Sequence, residues 1–313
     1  MKCISTAVEA RVHYATPGAA LRSTCHRMEY LEHAPPPELA PFVTCFWQIT
    51  GGAGAHRVLP DGAMDVLFAA GDAAARVIGP MTRAIVTPAG GPAWIAGVRF
   101  RPGAAMGMLG VAACELRDDA AGARDVWGPA GRMLDDRLAG APDAAAARAL
   151  LEAELLARRA RAPLPEARLD RAIATLRGAR GELPVPAVAA RACLGERQLE
   201  RLFVERVGYG PKLFARVVRL EHAVASIGTI ASWGIGAARG RGTIASWEVG
   251  AARGRGTIAS WASFARACGY ADQAHLIREF RALAGVTPAV YASGAAMSEI
   301  DNTAAERALT LRA

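Results

Sequence analysis

Residues 188–203 read VAARACLGERQLERLF, and residues 264–280 read FARACGYADQAHLIREF. When Leu199 is aligned with Leu276, an arginine two residues later and a phenylalanine four residues later also match. Each stretch predicts a short alanine-rich helix, a tight turn and a second helix with one apolar face, because apolar residues recur at helical spacing. The chain therefore contains the pattern of a helix-turn-helix unit twice.

The second helix of each unit has a polar side opposite its apolar face. In the first unit this side carries Arg197, Glu200 and Arg201, and in the second it carries Arg278 with Gln273 and His275 beside it. Arginine, glutamine and histidine are residues that hydrogen-bond base edges in a major groove. An ordinary amphipathic helix with a solvated polar face explains one such unit equally well. Two matched units on one chain favour DNA binding.

Further motifs follow the two units. They are 208–211 (GYGP), 219–223 (RLEHA), 267–273 (ACGYADQ) and 285–288 (GVTP). With these motifs, about the last two-fifths of the chain resembles the DNA-binding domain of AraC/XylS-type transcriptional regulators. The resemblance implies an all-helical domain in which a linker helix joins two helix-turn-helix units, and double-stranded DNA as the partner.

The resemblance also assigns residues to roles. Residues of the linker helix are expected to anchor the DNA backbone, and residues of the two second helices are expected to occupy base-reading positions. The backbone residues are Lys212, Arg216 and Arg219, and the base-reading residues are Arg197, Glu200 and Arg201 in the first unit and Gln273, Ala274, His275 and Arg278 in the second.

The first unit departs from the family pattern at its turn. Cys193 stands where a glycine is usual, and Gly195 stands where a serine-type helix cap is usual. The second unit keeps Gly269 for the turn and Asp272 as the cap. A missing cap side chain costs about 0.5–1 kcal/mol or less. The second unit therefore conforms better to the family.

Charge is distributed unevenly along the 313 residues. The whole chain has a formal net charge of +8, whereas residues 167–293 contain 18 Lys and Arg against 9 Asp and Glu, a net charge of +9. A basic C-terminal half behind a nearly neutral N-terminal half is expected if only one half contacts phosphate.

Short β-like runs occupy the N-terminal half. Aromatic and β-branched residues predict strands at 41–49, 77–80, 84–86 and 93–100. Residues 57–59 and 64–68 predict a hairpin-like pair around a Pro-Asp-Gly turn. Strands at this spacing predict a small β-barrel or sandwich. The runs at 59–62, 79–82 and 97–103 resemble the cupin-like N-terminal domain of some AraC-type regulators, which implies a sensing role.

These patterns predict an α+β chain with a barrel-like N-terminal domain and an all-α C-terminal domain. The expected boundaries are a disordered extension at 1–28, the cupin-like domain at 29–116, a helical connector and linker at 117–165, the DNA-binding domain at 166–293 and a tail at 294–313. Leucines in the connector, such as Leu134 and Leu151, are expected to pack within their own chain or to form a dimer contact.

A tandem repeat lies between the two units. The hexapeptide Gly-Thr-Ile-Ala-Ser-Trp begins at Gly228, Gly242 and Gly256, at intervals of 14 residues. Family members pass from the linker helix to the second unit after only a few residues, so 228–255 is interpreted as an insertion. Either it bulges out and leaves the spacing of the units intact, which is the preferred interpretation, or it tethers the second unit flexibly.

The expected function is sequence-specific DNA binding by a transcriptional regulator, without enzymatic activity. No cofactor or metal is expected, because the six cysteines are scattered and the histidines lack ligand spacing. A cytoplasmic protein is expected, since no segment is long and apolar enough for a membrane. Expected partners are duplex DNA, RNA polymerase and a small-molecule effector, with a monomeric or homodimeric chain. The alternatives are a small-molecule-binding or catalytic cupin-like protein, with Asp61 and Asp65 as acid/base candidates, and a regulator that the duplication has inactivated.

Overall fold

The computed structural model describes residues 29–51, 56–87, 91–232 and 260–293. The predicted extension at 1–28, the tail at 294–313 and most of the tandem repeat lie outside these ranges. The described chain is mixed α+β, with strands in its N-terminal half and helices after them, which confirms the predicted fold class.

The strands form two antiparallel sheets. One has six strands in the order β1-β2-β7-β4-β5-β8, and the other pairs β3 with β6. The strands are β1 Glu29–His33, β2 Val43–Thr50, β3 His56–Val58, β4 Asp65–Ala69, β5 Arg76–Ile78, β6 Ile85–Thr87, β7 Trp94–Phe100 and β8 Ala120–Gly122.

The larger sheet is open, with β1 and β8 at its edges, so within the described residues no closed barrel forms and that part of the expectation is corrected. The two faces of the sheet are packed separately. Helices complete the core on one face, where Phe46 from a strand and Leu151 from a helix share a cluster. The opposite face buries a second apolar cluster that includes Trp47 and Leu67. A sheet with both faces covered buries its apolar side chains without closing edge to edge.

The predicted hairpin between residues 57–59 and 64–68 is also wrong. β3 pairs with β6, with Arg57 opposite Val86, and β4 pairs with β5 and β7. The intervening residues 59–64 are all buried. This interdomain loop leaves the sheet and enters the contact with the C-terminal half, so it cannot serve as a surface turn.

Helices follow in two groups. The first group packs with the sheet and contains α1 Met106–Leu109, a 3-10 helix Ala113–Leu116, α2 Ala123–Trp127, α3 Pro129–Ala139 and α4 Ala144–Arg159. The second group forms the C-terminal half and contains α5 Ala167–Gly178, α6 Val185–Arg191, α7 Glu196–Val207, α8 Pro211–Ser232, α9 Trp261–Ala267, α10 Gln273–Ala284 and α11 Pro288–Ala292.

The connector leucines pack inside their own domain. Leu134 and Leu138 of α3 and Leu151 and Leu155 of α4 are almost completely buried in the core beneath the sheet. The first of the two interpretations of the leucine pattern, packing within one chain, therefore describes these four side chains.

Candidate nucleic-acid interface

The C-terminal half contains two units of the same construction. In the first, α6 and α7 are joined by a turn at Cys193, and in the second, α9 and α10 are joined by a turn at Gly269. Both turn residues have positive φ, 54° and 76° respectively. The apolar side of each second helix is fully buried, as at Phe203 and Phe280. Each unit therefore consists of two helices joined by a tight turn, as the sequence pattern predicts.

The caps of the two second helices differ as the sequence predicts. Asp272 Oδ1 accepts a hydrogen bond from the backbone N–H of His275 at 2.7 Å, which satisfies one free donor at the start of α10. At the start of α7, Gly195 has no side chain and makes no such bond. The second unit is therefore the better-capped one.

Cys193→Gly is expected to raise the free energy of unfolding by about 0.5–1 kcal/mol, because a Cβ in the left-handed region costs about 1–2 kcal/mol and glycine returns part of this as chain entropy. Urea denaturation at constant pH measures the change. Gly269→Ala makes the opposite change at the corresponding turn of the second unit. The added Cβ would lie 2.8 Å from Cγ of Glu182 at a φ of +76°, so we expect the free energy of unfolding to fall by more than about 1 kcal/mol. A destabilised Cys193→Gly protein contradicts the turn geometry.

The polar side of α7 is exposed at Arg197, Glu200 and Arg201. These three side chains line a groove of about 520 Å³ together with Val204 and Glu205 of the same helix and Cys114 of the N-terminal domain. The Glu200 carboxylate lies beside Gly210, where an added Cβ would be too close to it. The predicted face is thus polar and outward, but it borders another domain.

On α10, Gln273, Ala274 and Arg278 are exposed on the predicted reading side. His275 is only partly exposed. Its Nδ1 accepts a hydrogen bond from the Ala271 N–H at 3.2 Å, and its ring lies edge-on to Tyr270 with centroids 5.4 Å apart. These contacts orient the imidazole, whereas Arg278 on the same face is exposed to solvent.

The three predicted backbone anchors on α8 have different surroundings. Lys212 is exposed. Arg216 Nε pairs with Oε2 of Glu279 on α10 at 2.6 Å. Arg219 Nη2 donates to the Gly181 carbonyl at 3.0 Å, and its guanidinium lies over the Tyr270 ring at 5.6 Å. Arg216 and Arg219 therefore hold the helices together, and Lys212 is the one of the three whose side chain is exposed to solvent.

The linker helix α8 contributes to the cores of both units. Its first half, including Phe214 and Val217, packs with α5, α6 and α7. Its second half, including Leu220, Val224 and Ile227, packs with α9, α10 and α11. The second unit is thus positioned against α8 by apolar burial and the Arg216 ion pair, although the tandem repeat separates them in sequence.

The first copy of the repeat continues α8, which extends through Ser232. The third copy supplies the cap of α9, where Ser260 accepts a hydrogen bond from the Ser263 N–H. Because the copies are identical, removal of residues 233–260 or of 228–255 leaves the same shortened sequence. The insertion therefore has no unique boundary, and the hexapeptide serves two structural roles.

The N-terminal domain contacts the C-terminal half at α5 and at α10, a feature that the sequence does not predict. Arg177 Nη2 of α5 donates to the Asp61 carbonyl at 3.3 Å within the interdomain loop. At the C-terminal end of α10, Arg57 Nη1 donates to the Ala284 carbonyl at 2.8 Å, and the Ala84 N–H donates to the Leu283 carbonyl at 2.6 Å. Free carbonyls at a helix end accept such donors readily, so β3 and the residue before β6 hold this end of α10.

A buried charge cluster lies behind the interdomain loop. Arg99 Nε is 3.7 Å from Asp61 Oδ2 and 3.6 Å from Asp65 Oδ1. Asp65 has no solvent exposure. Burial raises the pKa of Asp65 to about 6, and Arg99 opposes this rise. Asp61 also accepts a hydrogen bond from the Ala63 N–H at 2.8 Å, which orders the interdomain loop locally.

Within the described ranges, no group of three or more histidine, cysteine, aspartate or glutamate side chains is arranged to hold a metal ion. Among the helices of the same ranges, none combines the length and hydropathy needed to span a membrane.

A family model described as "Domain of unknown function (DUF6597)" matches residues 31–121, less than a third of the 313-residue chain. The matched stretch begins in β1 and ends in β8, so it covers the six-stranded sheet and the 3-10 helix. None of the curated proteins matches the chain. The two helix-turn-helix units lie outside the matched residues.

Proposed function

We propose that this chain is a sequence-specific, AraC-type transcriptional regulator that reads duplex DNA with α7 and α10. One observation carries this function: two helix-turn-helix structures share a single linker helix, and each second helix has an arginine on its exposed side. A major groove about 12 Å wide admits one α-helix. Two such helices on one rigid helix suit two successive groove segments, about 34 Å apart.

The proposed contacts fall into two classes. Base-edge contacts are assigned to Arg197 and Arg201 on α7 and to Gln273, Ala274 and Arg278 on α10, all of which are exposed. Lys212 is assigned to phosphate. Glu200 and His275 border the base-reading faces, whereas Arg216 and Arg219 support the fold of the domain through internal contacts.

Further proposals concern the role of the N-terminal domain, the location of the protein and its partners. The N-terminal domain, which matches a family model of its own, senses an effector or mediates association. The protein works in the cytoplasm with RNA polymerase as a further partner, as a monomer or homodimer, and it catalyses no reaction. The net charge of +9 over residues 167–293 supports a polyanionic partner for the helical half.

DNA binding is tested by selecting duplexes retained by the purified chain from a random pool and titrating the best one against salt. Since each phosphate contact contributes about −0.9 to the slope of log affinity on log salt, we expect a slope of about −4 or steeper. We also expect one enriched motif with two half-sites about one helical turn apart. Retention without sequence enrichment would refute specific recognition, and no retention at low salt would refute DNA binding.

Deletion of residues 233–260 is expected to change affinity for the best-retained duplex by less than about threefold, because α8 positions the second unit and long loops cost little closure entropy. In the shortened chain, the residues that now extend α8 would form the connection to α9. Titration of both chains with the same duplex measures the difference. A gain above about tenfold, about 1.4 kcal/mol, would instead show that the duplication impairs the regulator.

A further inference from the structure

The reading face of α7 is adjacent to the 3-10 helix Ala113–Leu116 of the N-terminal domain, and the two helices pack together. Cys114 and the α7 residues Arg197, Arg201 and Val204 line one groove. At the end of α7, a Cβ on Gly208 would lie 3.2 Å from the Ala113 carbonyl oxygen. The 3-10 helix therefore lies against the C-terminal part of the face that carries both reading arginines.

The residues that follow the 3-10 helix are firmly held. Both carboxylate oxygens of Asp118 accept hydrogen bonds from Thr82, one from its backbone N–H and one from Oγ1, each at 2.7 Å. Glu115, Asp118 and Asp119 outnumber the single cation Arg117 over residues 115–119. This net negative segment continues directly from the 3-10 helix that packs on α7, and its charge would repel DNA phosphates.

The width of the DNA major groove decides whether the 3-10 helix and DNA can both lie against α7. An α-helix with its side chains is about 10–12 Å across, and the major groove is about 12 Å wide. A recognition helix therefore fills the groove, and no second polypeptide segment fits against the same face. Arg197, Glu200 and Arg201 are themselves exposed. The obstacle is the neighbouring 3-10 helix, which occupies the space beside Val204 that the wall of a major groove would need.

The second unit differs. The N-terminal domain contacts α10 at its C-terminal end, through the carbonyls of Leu283 and Ala284. Gln273, Ala274 and Arg278, nearer the start of the helix, are exposed. Because the start of a recognition helix makes most base contacts, α10 is accessible to a duplex in this conformation.

We propose that the 3-10 helix Ala113–Leu116 is an intramolecular cover for the first recognition helix. In this closed conformation the chain offers only α10 to DNA, and engagement of both units requires the cover to move away from α7. This inference rests on the proposed DNA binding. It assigns the 3-10 helix a regulatory role that depends on its contact with α7.

A covalent lock tests the cover directly. Val204→Cys places a second thiol in the groove beside Cys114, in a full-length chain whose Cys3, Cys25 and Cys193 are replaced by serine. A short bis-maleimide then joins the two thiols, with one thioether bond formed at each sulfur by addition to a maleimide double bond. The same Val204→Cys chain, with both thiols alkylated by a monofunctional maleimide, controls for modification of the groove without a lock. Thermal unfolding of all forms confirms that they remain folded.

The probe is the best-retained selected duplex, about 40 base pairs long so that it spans more than three helical turns. Compared with the alkylated control, the locked chain is expected to bind about 100-fold or more weakly, because it loses the avidity of two linked units. Its hydroxyl-radical footprint is expected to shrink to one groove segment. Its residual binding should depend on Arg278 and not on Arg201.

The outcomes separate the two proposals. Equal affinity and an unchanged two-segment footprint of the locked chain would overturn the cover, while DNA binding would stand. Failure of the two thiols to cross-link in a folded chain would also overturn it, since they would not share the groove. If the unlocked chain retains no duplex, DNA binding itself is refuted, and the cover with it.

Discussion

Arg99→Met is expected to lower the free energy of unfolding by about 3–5 kcal/mol at pH 7.5, because it removes the cation that lies between two buried carboxylates. Asp65 is fully buried, and Asp61 is about nine-tenths buried. Methionine fills a similar volume, so lost charge pairing and not a cavity dominates the change. Urea denaturation followed by circular dichroism measures it. Arg101→Met, at an exposed arginine two residues later, is the matched control and should cost less than about 0.5 kcal/mol.

The effect of Arg99→Met is expected to depend on pH. Burial raises the pKa of Asp65 to about 6, above its unfolded value of about 3.9. A folded-state pKa above the unfolded one contributes stability that is fully present below about pH 3.9 and is lost as pH rises through about 6. Without Arg99 the pKa of Asp65 rises further, so the carboxyl group is protonated at pH 5.

The loss caused by Arg99→Met should therefore be smaller at pH 5 than at pH 7.5. Asp65→Asn provides the control, because asparagine does not titrate. In this variant the free energy of unfolding should change less between pH 4 and pH 6 than it does in the unaltered chain. A loss that is the same at both pH values, or below about 1 kcal/mol at pH 7.5, would contradict the charge pairing as the reason for stability.

Arg278→Ala is expected to reduce affinity for the best-retained duplex by about 10- to 100-fold and to relax sequence preference at one half-site, since a bidentate base contact is worth about 1–3 kcal/mol. Repeated selection with the variant measures the lost preference, and titration measures the affinity. Because Arg278 is assigned to bases and not to phosphate, the salt slope should change by less than about one unit.

Arg281→Ala is the matched control for Arg278→Ala. Arg281 is also exposed on α10, but it lies in the last turn of the helix. Its removal should leave the selected motif unchanged and weaken all duplexes similarly or not at all. If Arg278→Ala and Arg281→Ala behave alike, α10 contributes only general positive charge, and base reading by this helix is refuted.

Much of the C-terminal half is predictable from local sequence. Helical periodicity locates the buried side of α10 at Leu276 and Phe280, and the capping role of Asp272 follows from its side chain and position. The family resemblance places Cys193 where a turn glycine is usual, and its φ of 54° agrees with that position. Such features depend on residues a few positions apart, so the chain near each residue contains the information.

The N-terminal half is less predictable. The strands are recognisable, but the partner of β3 is not, because alternating apolar residues are compatible with several neighbours. The burial of residues 59–64 against the C-terminal half excludes the predicted hairpin. The sheet is open, with α4 packed on one face and a second apolar cluster buried on the other, whereas the spacing of the strands alone suggests a barrel.

The sequence by itself determined the two helix-turn-helix units, their turns, their caps and the exposed positions of Arg201 and Arg278, because helix periodicity and backbone preference act over a few residues. Only the tertiary structure decided which of the polar side chains remain accessible to a DNA partner. Arg216 and Arg219 have internal partners, and the 3-10 helix lies against α7 while the start of α10 is exposed. Contacts between residues distant in sequence determine these features, and no local pattern encodes which distant partner a side chain will contact.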